Sequence, residues 1–126
     1  MGDTILSLGL HPSAIDFSRY PELTEELLTA RIAAGEAGLL EAGFDIVSCQ
    51  VPADPDRAEA RIRECLAARA VQGVMIGAGL RTEPEHTLLF ERVVNLVNGL
   101  VPGIVFCFNT SPETTVDALR RARSHR

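Results

Sequence analysis

Hydrophobic residues along the chain follow two spacings, one typical of buried strands and one typical of helices that cover a sheet. Short apolar runs predict four strands, at residues 4–10, 45–51, 73–77 and 104–108. After each run, apolar positions recur every three or four residues, which predicts a helix with one buried face. Strand and helix therefore alternate four times, and no repeat, linker or low-complexity tract interrupts the pattern.

Capping residues place the first two helices. The first begins at Thr24, or two residues earlier, and ends at Ala42, just before a glycine that stops it. Its inner face is formed by Leu28, Ile32, Gly35 and Leu39. The glycine in that face predicts a close approach of this helix to the sheet. The second helix has Asp54 as its N-cap and Pro55 at its first helical position.

The third and fourth helices carry capping-box patterns, in which a Ser or Thr cap is followed three residues later by Glu. Thr82 and Glu85 predict the start of the third helix. Thr110 and Glu113 predict the start of the fourth helix, with Ser111 as an alternative cap. The fourth helix then continues to about residue 123.

This alternation predicts an α/β fold made of parallel strands, right-handed crossovers and helices on both faces of the sheet. We expect one α/β domain over residues 1–126, which is an ordinary length for a single domain. The predicted architecture is a three-layer α/β/α sandwich with a four-stranded parallel sheet in the order 2-1-3-4. This is a Rossmann-like arrangement, specifically the flavodoxin-like order shortened by one strand.

The third predicted helix, which spans Pro84 to Asn98, is apolar around most of its circumference. Its apolar residues, with one beyond its end, are Leu88, Leu89, Phe90, Val93, Val94, Leu96, Val97 and Leu100. Its polar stripe is narrow and contains Glu91, Arg92, Asn95 and Asn98. A helix that flanks a sheet in a monomer normally keeps a broad polar face. The pattern predicts that either the fourth helix and the chain end, or a second copy of the chain, covers this surface, and we favour a homodimer through this helix.

Composition and charge narrow the possible partners. The net charge is −5, which disfavours binding to a nucleic-acid backbone. No apolar run reaches the ~20 residues that a membrane-spanning helix needs. Because no basic stretch precedes an apolar run at the N-terminus, we expect no membrane association and a cytoplasmic protein.

The basic residues and cysteines exclude several kinds of site. All twelve basic residues are arginine, so the chain has no lysine for pyridoxal phosphate, for another Schiff base or for a P-loop nucleotide site. The three cysteines, Cys49, Cys65 and Cys107, are widely spaced, and we interpret each as a small buried hydrophobic residue in a reducing compartment. No Cys or His pair has the spacing of a zinc site, so we expect no metal.

Polar residues and glycines follow the first and third predicted strands, whose carboxyl ends flank the point where the strand order reverses. Ligands of open parallel sheets bind at this point. The sequence predicts a site for a small anion, phosphate or carboxylate, built from Gly77, Gly79, Arg81, Thr82, Ser13 and Asn109. In this hypothesis the guanidinium pairs with the anion beside the start of the third helix. The alternative interpretation is a glycine turn, a capped helix and a surface arginine.

Two other functions stay open at the level of sequence. A small hydrolase or lyase would use His11 or His86 as its acid or base, oriented by Asp16 or Glu85. The simpler interpretation is a loop histidine beside a proline and a partly exposed helix histidine. The chain has no G-x-S-x-G motif for a serine hydrolase. A homodimeric assembly protein without catalysis is the third possibility.

Three segments carry a likeness to known proteins. They are LGLHPSAIDFS, VMIGAGLRTEPEHTLLFERVVNLVN and FNTSPETTVDALRR. Together they resemble a family of small uncharacterised bacterial α/β proteins that carries no assigned activity. The resemblance implies one domain over the whole chain and adds no catalytic residue. It draws attention to the residues inside the matching segments, namely Gly77, Gly79, Arg81, Glu91 and Asn109.

Overall fold

A computed structural model describes residues 4–125 of the chain. Its strands are β1 (Thr4–Leu10), β2 (Asp45–Val51), β3 (Gly73–Ile76) and β4 (Val105–Phe108). Its α-helices are α1 (Glu25–Glu41), α2 (Pro55–Ala68), α3 (Thr87–Leu100) and α4 (Thr115–Ser124). All strand pairs are parallel and the strand order is β2-β1-β3-β4, which confirms the predicted sheet. No helix among the described residues is long and apolar enough to span a bilayer.

Two hydrophobic cores lie on opposite faces of this sheet. On one face, Leu6 and Leu8 of β1 pack with buried residues of α2 and α3. On the other face, Ile5 and Met75 pack with Leu39 of α1 and with buried residues of α4. Side chains of a strand alternate between the two faces, so neighbouring residues of β1 enter different cores. The predicted three-layer sandwich is therefore confirmed.

The predicted N-caps of the first two helices are confirmed, whereas the predicted start of the third helix is wrong. Thr24 accepts a hydrogen bond from the Leu27 N–H at 3.1 Å, and Asp54 caps α2 in the same way. The Thr82 hydroxyl instead donates to the Ala78 carbonyl at 2.9 Å. The α3 helix starts only at Thr87, after the two 3₁₀ turns Ala78–Leu80 and Pro84–His86.

Pro84 explains the late start of α3. A proline disfavours the helical conformation of the residue before it, because its ring crowds that residue's backbone. Glu83 is accordingly extended, with φ −100° and ψ 130°. A helix cannot run through this residue, so the capping box proposed for Thr82 and Glu85 does not form.

At the fourth helix, the hydroxyl of Thr114 accepts hydrogen bonds from the backbone N–H groups of Thr110 and Ser111, and α4 begins at Thr115.

Most of the apolar surface of α3 is buried within one chain. The helix packs against α2 and the sheet, and Phe90, Val94 and Leu96 contact the core on that face. The expectation that the fourth helix covers this surface is wrong, because α4 packs on the opposite face. Two of its leucines stay exposed, Leu88 at 58% and Leu100 at 42%. A homodimer through this helix stays a prediction.

Gly35 of α1 makes a close approach, but to a loop and not to the sheet. A Cβ atom at this position would lie 2.9 Å from the carbonyl oxygen of Pro112, in the turn before α4. Real Cβ atoms do not approach a backbone atom that closely, so only glycine fits without movement. The expectation of a close contact with the sheet is therefore wrong, and the sheet side of this part of α1 is open.

We expect the two central glycines of α1 to respond with opposite signs to alanine. Gly38→Ala is expected to stabilise the protein by about 0.5–1 kcal/mol, because its Cβ meets nothing within 4 Å and alanine favours a helix. Gly35→Ala is expected to lose about 1 kcal/mol or more, because overpacking against Pro112 outweighs this gain. Urea unfolding of both variants measures the difference. Equal stabilisation of both variants would contradict the close contact.

Candidate functional site

The sheet face below α1 changes character along the strands. Its amino-terminal part carries large buried residues, including Ile5 of β1. Towards the carboxyl end, the residues of β1 on the same face are small or polar. Ser7 and Gly9 of β1 lie there, and Gly9 pairs in register with Gln50 of β2. These side chains do not fill the space between the sheet and α1, and a cavity of about 410 Å³ results.

The cavity lies where the strand order reverses, at the carboxyl ends of β1 and β3. The predicted inner face of α1, Leu28, Ile32, Gly35 and Leu39, forms its roof. The turn after β3 and the loop after β4 contribute Gly77, Gly79, Thr110 and Ser111. The lining is mainly apolar, and its polar groups lie on the sheet, on the two loops and, as Arg31 and Glu36, on α1. Such a cavity can enclose the apolar body of a ligand and fix its polar end.

Some of the residues predicted to bind an anion line this cavity and others do not. Gly77, Gly79, Thr82 and Asn109 are among its lining residues. Ser13 is not among them, and its hydroxyl lies 2.8 Å from the Nδ1 atom of His11.

Arg81 does not line the cavity either. Its Nη2 donates to the backbone carbonyl of Asn109 at 2.5 Å, and its guanidinium lies 5.5 Å from the centroid of the Phe108 ring. That ring packs edge-to-face against Phe90 of α3, on the other face of the sheet. The turn after β3 thus directs Arg81 away from α1, so the geometry gives the predicted pairing of Arg81 with an anion in this cavity no support.

Asn109 connects three segments at the edge of the cavity. Its Oδ1 accepts from the Ala78 N–H at 3.0 Å, and its Nδ2 donates to the Thr115 hydroxyl at 2.8 Å. Its backbone carbonyl accepts the bond from Arg81. The residue is 6% exposed, so its amide atoms are committed to the protein. Asn109 therefore shapes the wall of the cavity instead of offering a free amide to a ligand.

A smaller cleft of about 110 Å³ lies next to the main cavity. It brings together three of the four predicted catalytic residues, Asp16, Glu85 and His86. Both carboxylates pair with Arg19, at 3.4 Å and 2.6 Å, and not with either histidine. The hydrogen bond from the Ser18 hydroxyl also lowers the pKa of Asp16.

The fourth candidate, His11, bonds to other parts of the chain. Its backbone N–H donates to the carbonyl of Val51, at the end of the edge strand β2, and its ring contacts Ser13. Arg81, by contrast, donates to the backbone of Asn109, which follows the opposite edge strand, β4. An enzymatic function with His11 or His86 stays a prediction.

Several residues that line the cavity were absent from the predicted anion site, among them Ser7, Gly9, Arg31 and Gln50. The first two carried a signal, because every second residue of the first strand was small or polar between leucines. Arg31 carried none, since an arginine on an exposed helix is ordinary. Its Nε and Nη2 bind the Glu113 carboxylate at 2.9 and 2.6 Å, and this bond lowers the pKa of Glu113 to about 2.

The cysteines and acidic groups offer no metal site in the described part of the chain. Cys49, Cys65 and Cys107 are buried free thiols. Burial raises the pKa of Cys107 to about 11 and also raises that of Cys49. Within residues 4–125, no three His, Cys, Asp or Glu side chains are arranged to hold a metal ion.

No protein-family model matches this chain, and comparison with curated proteins and with solved structures found no match. The resemblance to a bacterial family therefore stays a prediction.

Proposed function

We propose that the chain binds a small amphipathic molecule that carries a carboxylate or phosphate group. The observation that carries this proposal is the cavity of about 410 Å³ at the carboxyl ends of β1 and β3. Open parallel sheets bind their ligands at this end, where the strand order reverses. Small-molecule sites commonly have volumes of ~300–1,000 Å³, so the cavity has room for a metabolite-sized ligand.

The lining supports a ligand with an apolar body. Leu28 and Ile32 of α1 face Met75 of β3 across the cavity, and burying an apolar group between them removes it from water. Ser7 and Gln50 lie on the sheet side. Within the described residues, neither side chain hydrogen-bonds to the protein, so both can bond a polar edge of the ligand.

The anionic end of the ligand is assigned to Arg31, the one cation among the described residues that line the cavity. Its bonds to Glu113 are exposed on both sides, with side-chain exposures of 43% and 57%. An exposed pair of this kind is weak and can exchange one carboxylate for another. A guanidinium also matches the geometry of a carboxylate or phosphate. This assignment replaces Arg81 of the sequence prediction.

Ligand-dependent melting tests the proposal. The panel contains carboxylic acids, sugar phosphates and nucleotides, together with uncharged analogues of the same compounds. A compound present at about 100 times its Kd stabilises the protein by about 2.7 kcal/mol, which raises the melting temperature by several degrees. We expect anionic compounds with an apolar body to raise it and their uncharged analogues to raise it less. A panel without any shift would overturn the proposal.

The Arg31→Gln variant tests whether Arg31 binds the anionic group of the compounds that the panel identifies. We expect it to weaken the binding of an anionic compound roughly tenfold and to leave the binding of its uncharged analogue unchanged, because only a charge-assisted bond is lost. Arg63→Gln on the exposed surface of α2 is the matched control. Equal affinities for Arg31→Gln and the wild type would exclude this arginine from the site.

A further inference from the structure

A short segment between β1 and α1, residues 16–23, forms part of the cavity wall and is called the strap below. Tyr20 and Leu23 of the strap line the cavity. The backbone bonds of the strap are local, with the Arg19 N–H donating to the Asp16 carbonyl and the Leu23 N–H donating to the Tyr20 carbonyl. These bonds give the strap its shape without attaching it to the sheet.

Two side chains attach the strap to the rest of the protein. The Tyr20 hydroxyl donates to the Glu83 carboxylate, and Arg19 Nη1 binds the same carboxylate at 2.8 Å. The same Nη1 lies 2.6 Å from Glu85. Within residues 4–125, every hydrogen bond and ion pair from the strap to a distant part of the chain passes through Arg19 or Tyr20.

We infer that the strap is a gate, held closed by Arg19 and Tyr20 on Glu83, and that its opening admits molecules to the cavity. The inference rests on the proposed function, since a gate serves a site that exchanges ligands. The Arg19 and Glu83 side chains are 45% and 23% exposed, and an ion pair that water reaches contributes little to stability, so these contacts can break and reform while the two cores stay packed. Loops that cover binding sites commonly work in this way, with a wall that moves on a rigid scaffold.

A thiol placed inside the cavity tests the gate without any ligand. Ser7→Cys introduces a group of nearly the same size at a residue that lines the cavity, while the native cysteines are buried and provide a slow background. Its rate of reaction with iodoacetamide measures access. We expect a rate well below that of an unfolded control, and a rise of roughly five- to tenfold when Glu83→Gln or Tyr20→Phe is added.

The controls separate opening of the strap from general loosening. Glu91→Gln on the exposed surface of α3 makes the same chemical change as Glu83→Gln and is expected to leave the rate unchanged. The native cysteines are expected to react slowly with iodoacetamide in every variant, because the cores remain intact. An unchanged rate in both Glu83→Gln and Tyr20→Phe would overturn the gate, as would equal acceleration of the native cysteines.

The labelling and melting experiments fail in different ways. A melting panel without shifts overturns the proposed function, whatever the labelling rates are. A Ser7→Cys thiol that reacts as fast in the folded protein as in the unfolded control overturns the gate, even where the panel finds a ligand. A labelling rate of the Ser7→Cys thiol that rises with Glu83→Gln and with Tyr20→Phe, but not with Glu91→Gln, supports the gate.

Discussion

Replacing Asn109 with leucine is expected to lower the free energy of unfolding by about 2–4 kcal/mol. The side chain is buried, and its amide satisfies the Ala78 N–H and bonds the Thr115 hydroxyl. Leucine has a similar size but no polar atom, so the partly buried Ala78 N–H loses its hydrogen-bond partner. A buried unsatisfied donor costs more than the net gain from an ordinary hydrogen bond. The turn after β3 and the start of α4 are therefore expected to loosen together.

Urea unfolding of Asn109→Leu measures this loss, with Asn98→Leu as the matched control. Asn98 is exposed on α3, where the same replacement is expected to change stability by less than about 0.5 kcal/mol. Thr115→Val removes one of the two partners and is expected to cost about 1 kcal/mol. A loss for Asn109→Leu no larger than that for Asn98→Leu would show that its amide bonds contribute nothing to stability.

Gly9→Leu is expected to reduce ligand binding at least about a hundredfold while the fold is retained. A Cβ at Gly9 meets nothing within 4 Å, because the residue borders the cavity. The added side chain therefore occupies the space of the ligand without displacing the protein. An apolar group that fills a cavity also tends to stabilise a fold, so we expect an unchanged or slightly higher melting temperature. This combination distinguishes a blocked site from a damaged protein.

Two titrations measure this effect. One uses anilinonaphthalene sulfonate, a dye with apolar rings and one anionic group, and the other uses any compound that the melting panel identifies. Gly99→Leu makes the same change at an exposed position near the end of α3, where a Cβ also meets nothing within 4 Å. Its binding is expected to match the wild type. Equal affinity of Gly9→Leu and Gly99→Leu would place the bound molecule outside the cavity.

The prediction of the fold from the sequence succeeded where the signal was local. The strand pattern reflects which backbone segments must be buried, and a parallel sheet with short crossovers permits few strand orders. The caps at Thr24 and Asp54 were confirmed because a cap acts within its own turn. At Thr82 a similar local pattern failed, since Pro84 two residues later holds Glu83 extended.

The candidate site was predictable in position and less so in composition. Strand order alone places the crevice at the ends of β1 and β3, and Gly77 and Gly79 do line the cavity. Arg81 was assigned to it because it follows these glycines in the chain. The path of the turn sends its side chain to Phe108 on the other face, and sequence proximity carries no information about that direction.

By itself, the sequence determined the four strand-helix units, the strand order and the point where that order reverses, because hydrophobic period and chain connectivity are properties of the sequence. Only the tertiary structure decided that α1 rests on the loop at Pro112 through Gly35, and that a cavity stays open between α1 and the small residues Ser7 and Gly9. A cavity is a space between elements distant in sequence, and its size depends on how closely each pair of them approaches. Those distances are set by packing over the whole molecule, which no local pattern records.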